Sequence, residues 1–196
     1  MGKRILITGF DPFGGETVNP SWEAVKGLPD RINDWDLHKL ELPTVFSRAA
    51  ELAIGEAERI AAKAILCVGQ AGGRDALTPE KVAINLRHSS IPDNLGQQPK
   101  DEPIVPDGPC AYFATLPVRK MAQAIQEAGL PARVSYSAGT FVCNDLFYAL
   151  RHHFDHTGVG VAFFHVPFLP EQAKEAQASL SLEEIIRGLK IAICCI

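Results

Sequence analysis

The chain has 196 residues, with 19 Lys and Arg against 23 Asp and Glu, a formal charge of −4. That length suits one domain spanning residues 1–196, with a core that needs no covalent staples. Apolar residues at 46%, charged residues at 21% and no run of Lys and Arg exclude wholesale disorder and leave no basic field for nucleic acid or anionic membrane.

At the start, Ile5-Leu6-Ile7 is too short for a signal-peptide core. No stretch approaches the ~20 apolar residues of a membrane span, so a cytoplasmic location is expected. Arg4–Thr8 reads as a buried strand ending at Gly9. Asn19-Pro20-Ser21 opens a short helix, and Leu37–Leu42 alternates like a strand closed by Pro43. Phe46–Ala62 predicts a helix and Ala64–Val68 a second buried strand ending at Gly69. Residues 69–115 break the rhythm with turn signals at Ile91-Pro92-Asp93-Asn94 and Val105-Pro106-Asp107-Gly108. So long an unpatterned stretch is usually functional or flexible. Met121, Ala122, Ile125 and Ala128 have helical spacing stopped by Gly129, and Ala132–Tyr136 is strand-like. Asn144–Leu150 predicts a helix and Val159–Phe164 a strand; Leu182, Ile185, Ile186 and Leu189 form a helical stripe behind a Ser181–Glu184 capping box. The alternation predicts an α/β/α sandwich around a mostly parallel, twisted sheet.

Ligands of open α/β sheets bind beyond the carboxyl ends of the strands. Cys143 falls at the first turn of the Asn144 helix, after Gly139, where free N–H groups and the helix dipole favour a thiolate and can hold an oxyanion. A nucleophilic cysteine needs a base and an orienting acid. His165 ends an apolar strand at the same rim. Glu80, Asp93 and Asp11 are all rim carboxylates, and pattern alone does not choose among them. Phe10 and Phe13 flank a Gly-rich turn that fits neither a dinucleotide fingerprint nor a P-loop. His152 and His156 have metal-ligand spacing but no third ligand, so no metal and no other cofactor is expected. The five cysteines, Cys67, Cys110, Cys143, Cys194 and Cys195, form no disulfide or zinc pattern. A non-catalytic binding protein and a cysteine amidase or thioesterase of other specificity remain open on this reading.

Several segments together resemble the pyroglutamyl peptidase I family of cysteine peptidases. They are Gly9-Phe10-Asp11-Pro12-Phe13-Gly14-Gly15, Val68–Arg74, Thr78–Asn85, Ile91–Asn94, Gly108–Phe113, Ser135–Asn144 and His165–Gln172, in this order over nearly the whole chain. The resemblance implies Cys143 as nucleophile, His165 as general base and acid, and Glu80 as orienting carboxylate. It implies a pyrrolidone pocket that includes Phe10, Phe13, Gln70, Phe141 and Val142. It also implies N-terminally pyroglutamylated peptides as partners and a homotetramer. One position departs. Many bacterial members carry an arginine before Ile-Pro-Asp-Asn that is thought to help the oxyanion site, and here it is Ser90. The Cys143 N–H and Arg87 are the candidate replacements. The Cys194-Cys195-Ile196 tail matches no family motif.

Overall fold

The computed structural model describes residues 2–174 and 176–196. Its main sheet has the order β2-β3-β1-β4-β8-β5. Four central strands, β1 (Lys3–Phe10), β3 (Trp35–Leu42), β4 (Ala64–Gln70) and β8 (Gly160–Val166), run parallel. β2 (Arg31–Ile32) and β5 (Thr78–Glu80) pair antiparallel at the two edges. The three innermost, β1, β4 and β8, are buried along most of their lengths, as strands covered on both faces must be.

The chain leaves β1 through α1 (Pro20–Lys26) to reach β3 on one side, then returns through α2 (Arg48–Arg59) to β4 on the other. Right-handed crossovers in opposite directions place their helices on opposite faces. The helix contacts agree. α2 packs on α4 (Val142–His153), whereas α5 (Leu182–Cys194) packs on α1 and α3 (Val118–Glu127). The connections of β1 and β4 therefore diverge, and a crevice opens past Phe10 and Gln70, the place where such sheets bind ligands.

Two predicted elements differ in the structure. α2 starts at Arg48 rather than Phe46, because Ser47 takes a left-handed backbone (φ +61°) that breaks the helix there. The N–H groups around this turn are held by distant carboxylates, Phe46 N–H by Asp93 (3.0 Å) and Ser47 N–H by Asp145 (2.8 Å). Ala132–Tyr136 is not a regular strand. It runs beside β5 through isolated parallel bridges at Leu77–Ala132 and Glu80–Ser135. Arg133, Ser135 and Lys81 N–H groups all bond across, but Pro79 has no N–H to give, so the ladder breaks in its middle. The capping box is present, with Glu184 N–H donating to Ser181 Oγ (3.3 Å) and Ser181 N–H to Glu184 Oε2 (2.8 Å).

The unpatterned stretch is tied down by buried amides. β6 (Val82–Ile84) pairs antiparallel with β7 (Ala111–Phe113). The fully buried Asn144 side chain pairs with both the N–H and C=O of Ile84 (3.0 and 2.9 Å) and with Leu86 C=O (3.0 Å). Arg87 forms an ion pair with the buried Asp145 carboxylate. The first turn of α4 is thus welded to the segment that follows β6.

Candidate active site

In the sheet, Gly69 at the end of β4 is the register partner of His165 at the end of β8. α4 begins directly above, with Cys143 as its second residue. The fit over Gly69 is close. A Cβ there would lie 2.8 Å from Cys143 Sγ and 2.7 Å from Phe163 Cζ, so only glycine lets the thiol settle on the strand. Gly139, at φ +78°, makes the turn that delivers the helix to this point. The N–H groups of Val142 and Cys143 open the helix and donate to no described residue.

The carboxylate that reaches His165 is Glu80. Its Oε1 accepts from His165 Nδ1 at 2.7 Å, and both side chains are buried. The antiparallel pairing of β5 on β8 puts Thr78 opposite His165 and Glu80 two residues further on the same face. Arg74 Nη1 donates to the same Oε1 (2.7 Å) and to Thr78 Oγ1 (2.5 Å), while Nη2 donates to Ser137 C=O (3.0 Å). Burial alone would raise the Glu80 pKa. The His165 hydrogen bond and the charges of His165 and Arg74 outweigh it, and the group stays ionised. Ser135 favours the carboxylate as well, although its hydroxyl bonds the Ser137 carbonyl and Glu80 Oε2 is left with no hydrogen bond among the described residues. His165 is pushed below its ordinary value, first by burial and then by Arg74, against the pull of Glu80. The resting pair is an ionised glutamate and a neutral imidazole, with Nδ1–H on Glu80 and Nε2 free to accept a proton.

Asp93 and Asp11, the other rim carboxylates, are committed elsewhere. Asp93 accepts from the N–H groups of Phe46, Leu95 and Gln97, and Asp11 from Thr44 N–H (2.6 Å) and Asn94 Nδ2 (3.1 Å).

Cys143 departs from the sequence expectation. Its thiol is not eased toward thiolate. Burial, then the Glu80 charge, push its pKa up to about 12, and Arg74 only partly opposes this.

A cavity of about 400 Å³ opens in front of these groups, lined by Cys143, His165 and Arg74, with Phe10, Phe13 and Phe141 as its aromatic wall. Phe13 and Phe141 lie 5.9 Å apart, and Phe46 closes edge-on against Phe141 at 5.3 Å. Gln70, Asn19 and Thr44 supply polar groups to the same space. Val142 does not line it: its side chain points into the core and is fully buried, because the first turn of α4 can aim only one of Val142 and Cys143 at the crevice. Arg74, Asn19 and Thr44 were not singled out from the sequence. Arg74 stands at the end of the Gly69–Arg74 turn, but its target lies in an edge strand no local pattern announces.

The model of the pyroglutamyl peptidase family matches residues 3–196. The chain belongs to that family. It is 50% identical to the pyrrolidone-carboxylate peptidase of Bacillus licheniformis, over 98% of this chain and 91% of the relative. It is 52% identical to that of Levilactobacillus brevis, over 97% and 95%. Its fold superposes on the crystal structure of the pyroglutamyl peptidase I from Bacillus amyloliquefaciens with a TM-score of 0.95 at 47% identity, over 100% of this chain and 95% of that one. A mutant pyrrolidone carboxyl peptidase from Pyrococcus furiosus gives 0.94 at 38% identity, over 98% and 97%.

Against the family pattern, Ser90 is solvent-exposed, and Arg87 does not stand in for the missing arginine. Arg87 is held by Asp145 and borders a separate small cavity with Phe46, Gln97 and Glu102. Among the described residues no three His, Cys, Asp or Glu side chains are grouped to hold a metal. His152 Nδ1 lies 3.0 Å from Tyr112 Oη, and His156 faces Asp155.

Proposed function

We propose that this chain removes an N-terminal pyroglutamyl residue from peptides by cysteine-dependent acyl transfer. The observation that carries the reading is a single cavity lined by Cys143, His165 and an aromatic wall, with Glu80 buried behind His165 at 2.7 Å. Pyroglutamate is a neutral five-membered lactam, and apolar walls with a few polar groups suit it. An ordinary N-terminus brings an ammonium group that would be desolvated there without an anion and faced by the Arg74 guanidinium.

Cys143 is the nucleophile, His165 the general base and acid, and Glu80 the orienting group. Because thiol and imidazole are both neutral at rest, the Cys143 proton moves to His165 Nε2 as sulfur attacks the pyroglutamyl carbonyl carbon. Glu80 stabilises the imidazolium through Nδ1–H. The Cys143 N–H, which donates to no described residue, is the donor for the developing oxyanion on this reading. His165 then gives its proton to the departing amine as the C–N bond breaks, leaving a thioester on Cys143. Water deprotonated by His165 attacks that thioester, and pyroglutamate leaves as the thiol is restored.

The test is release of the arylamine from a pyroglutamyl arylamide by reduced protein, with and without prior iodoacetamide. Release that alkylation abolishes supports the reading. Equal cleavage of the prolyl arylamide, or release that survives alkylation, contradicts it.

Self-assembly belongs to the same proposal. Leu95, Phe113 and Tyr136 are large apolar side chains left more than half exposed, which supports a partner surface, and sedimentation would show a species heavier than one chain. A cytoplasmic location is supported by five free cysteines and by the lack, among the described residues, of a helix long and apolar enough to cross a membrane.

A further inference from the structure

Gln172 lies in the turn after β8, buried, and touches no reacting group. Its hydrogen bonds nevertheless reach the cavity. Its Oε1 accepts from Leu169 N–H at 3.2 Å. A backbone N–H can only donate, so that end of the amide is the oxygen. Its Nε2 therefore faces outward, toward Val18 C=O (3.1 Å) and Glu16 Oε2 (3.3 Å), which can only accept. The third acceptor near Nε2 is the side chain of Gln70, at 3.2 Å. An NH₂ has two hydrogens; its two nearest acceptors are Val18 C=O and Gln70, and Glu16, the farthest of the three, shares one of them. Gln70 therefore presents its oxygen, since its own NH₂ there would meet another NH₂. The Gln70 amide is thereby turned one way. Its Oε1 is taken, and its Nε2 makes no hydrogen bond to any described residue while Gln70 lines the cavity.

We propose that Gln172 is a positioning residue: it locks the Gln70 amide so that Nε2 stands in the cavity as a donor for the ring carbonyl of the pyroglutamyl group. The inference rests on the pyroglutamyl reading above. Without the lock, the two ends of the Gln70 amide are nearly interchangeable, and in the reverse orientation an oxygen would meet the lactam oxygen. The device selects an acyl ring that carries a carbonyl over one, such as a prolyl ring, that carries none.

The test uses two variants, Gln172→Met and Gln172→Glu, and two readouts. The first is the rate of Cys143 alkylation by iodoacetamide without ligand, which reports an intact thiol and His165. The second is protection of Cys143 by 2-pyrrolidone, which measures lactam binding without turnover. In Gln172→Met the alkylation rate stays as in the unaltered protein. The 2-pyrrolidone concentration for half-protection and the KM for the pyroglutamyl arylamide each rise about tenfold, the loss of one well-placed hydrogen bond. In Gln172→Glu the carboxylate turns Gln70 around, and both rise further. Unchanged protection in both variants, or a loss of protection matched by an equal loss of alkylation rate, overturns the positioning role. If 2-pyrrolidone fails to protect the unaltered protein, the pyroglutamyl reading itself falls, and the two failures are thereby told apart.

Discussion

Replacing Glu80 by Gln removes the charge behind His165 and keeps the shape. The side chain is fully buried, and its Oε1 bonds both His165 Nδ1 and Arg74 Nη1 at 2.7 Å. At rest the loss is small for His165, since the imidazole is neutral and a glutamine oxygen still accepts its Nδ1–H. During attack His165 becomes an imidazolium. Two unit charges about 4 Å apart attract by roughly 4 kcal/mol at the effective dielectric of about 20 that suits protein sites. Glutamine forfeits that attraction and leaves Arg74 as an uncompensated positive neighbour. At ~1.4 kcal/mol per tenfold, kcat should fall about a thousandfold with KM little changed, because the interaction exists only on the way to the transition state. The assay is steady-state release from a pyroglutamyl arylamide, with circular dichroism to show that the fold persists. A Glu80→Gln protein with kcat within a few-fold of the unaltered enzyme would refute the reasoning. It would show that no compensating charge is needed at His165.

The other predictions follow from the same contacts. Gly69→Ala drives a methyl against Cys143 Sγ and Phe163, so it should cost roughly 1–3 kcal/mol of stability and most of the activity; unchanged kinetics would show that the thiol does not rest on β4. Val142→Ala should lower stability by roughly 2 kcal/mol, from the ~0.8 kcal/mol per buried CH₂ and the cavity left, and leave KM unchanged; a raised KM would return Val142 to the pocket. With the thiol pushed up to about 12, alkylation of Cys143 should still be accelerating above pH 9, where an ordinary thiol of pKa ~8.5 has levelled off; a plateau near the ordinary value would contradict the desolvation. His165 has a folded pKa below its unfolded ~6.5, so its contribution to stability is complete above that value and is lost as pH falls through the folded one; denaturant titrations at falling pH should show this slope, and His165→Gln should lack it.

The sheet was readable because its strands are covered on both faces and so appear as unbroken apolar runs at Ile5–Ile7, Ala64–Val68 and Val161–Phe164. The Ser181–Glu184 cap and the Gly139 turn before Cys143 were readable because their chemistry is local. Other features depend on contacts far along the chain. Glu80 meets His165 across 85 residues, through a three-residue edge strand with a proline in it, and only the family resemblance singled it out from Asp93 and Asp11. The shortened start of α2 is hidden because the carboxylates that hold the left-handed Ser47 turn, Asp93 and Asp145, accept from Phe46 and Ser47 N–H groups 47 and 98 residues away. Val142 matched a pocket position but turns into the core, which only the rotation of α4 decides. The raised Cys143 pKa is likewise not legible in the sequence. A helix N-terminus is visible in a sequence, but the burial that opposes it is a property of the packed rim.

The most direct test of Cys143 as the attacking group is a rapid acid quench of the enzyme turning over a pyroglutamyl arylamide, followed by mass spectrometry of its peptides. A pyroglutamyl group found on the peptide containing Cys143, and absent from a folded Cys143→Ala protein that also fails to turn over, is the predicted result. Turnover by Cys143→Ala would contradict it.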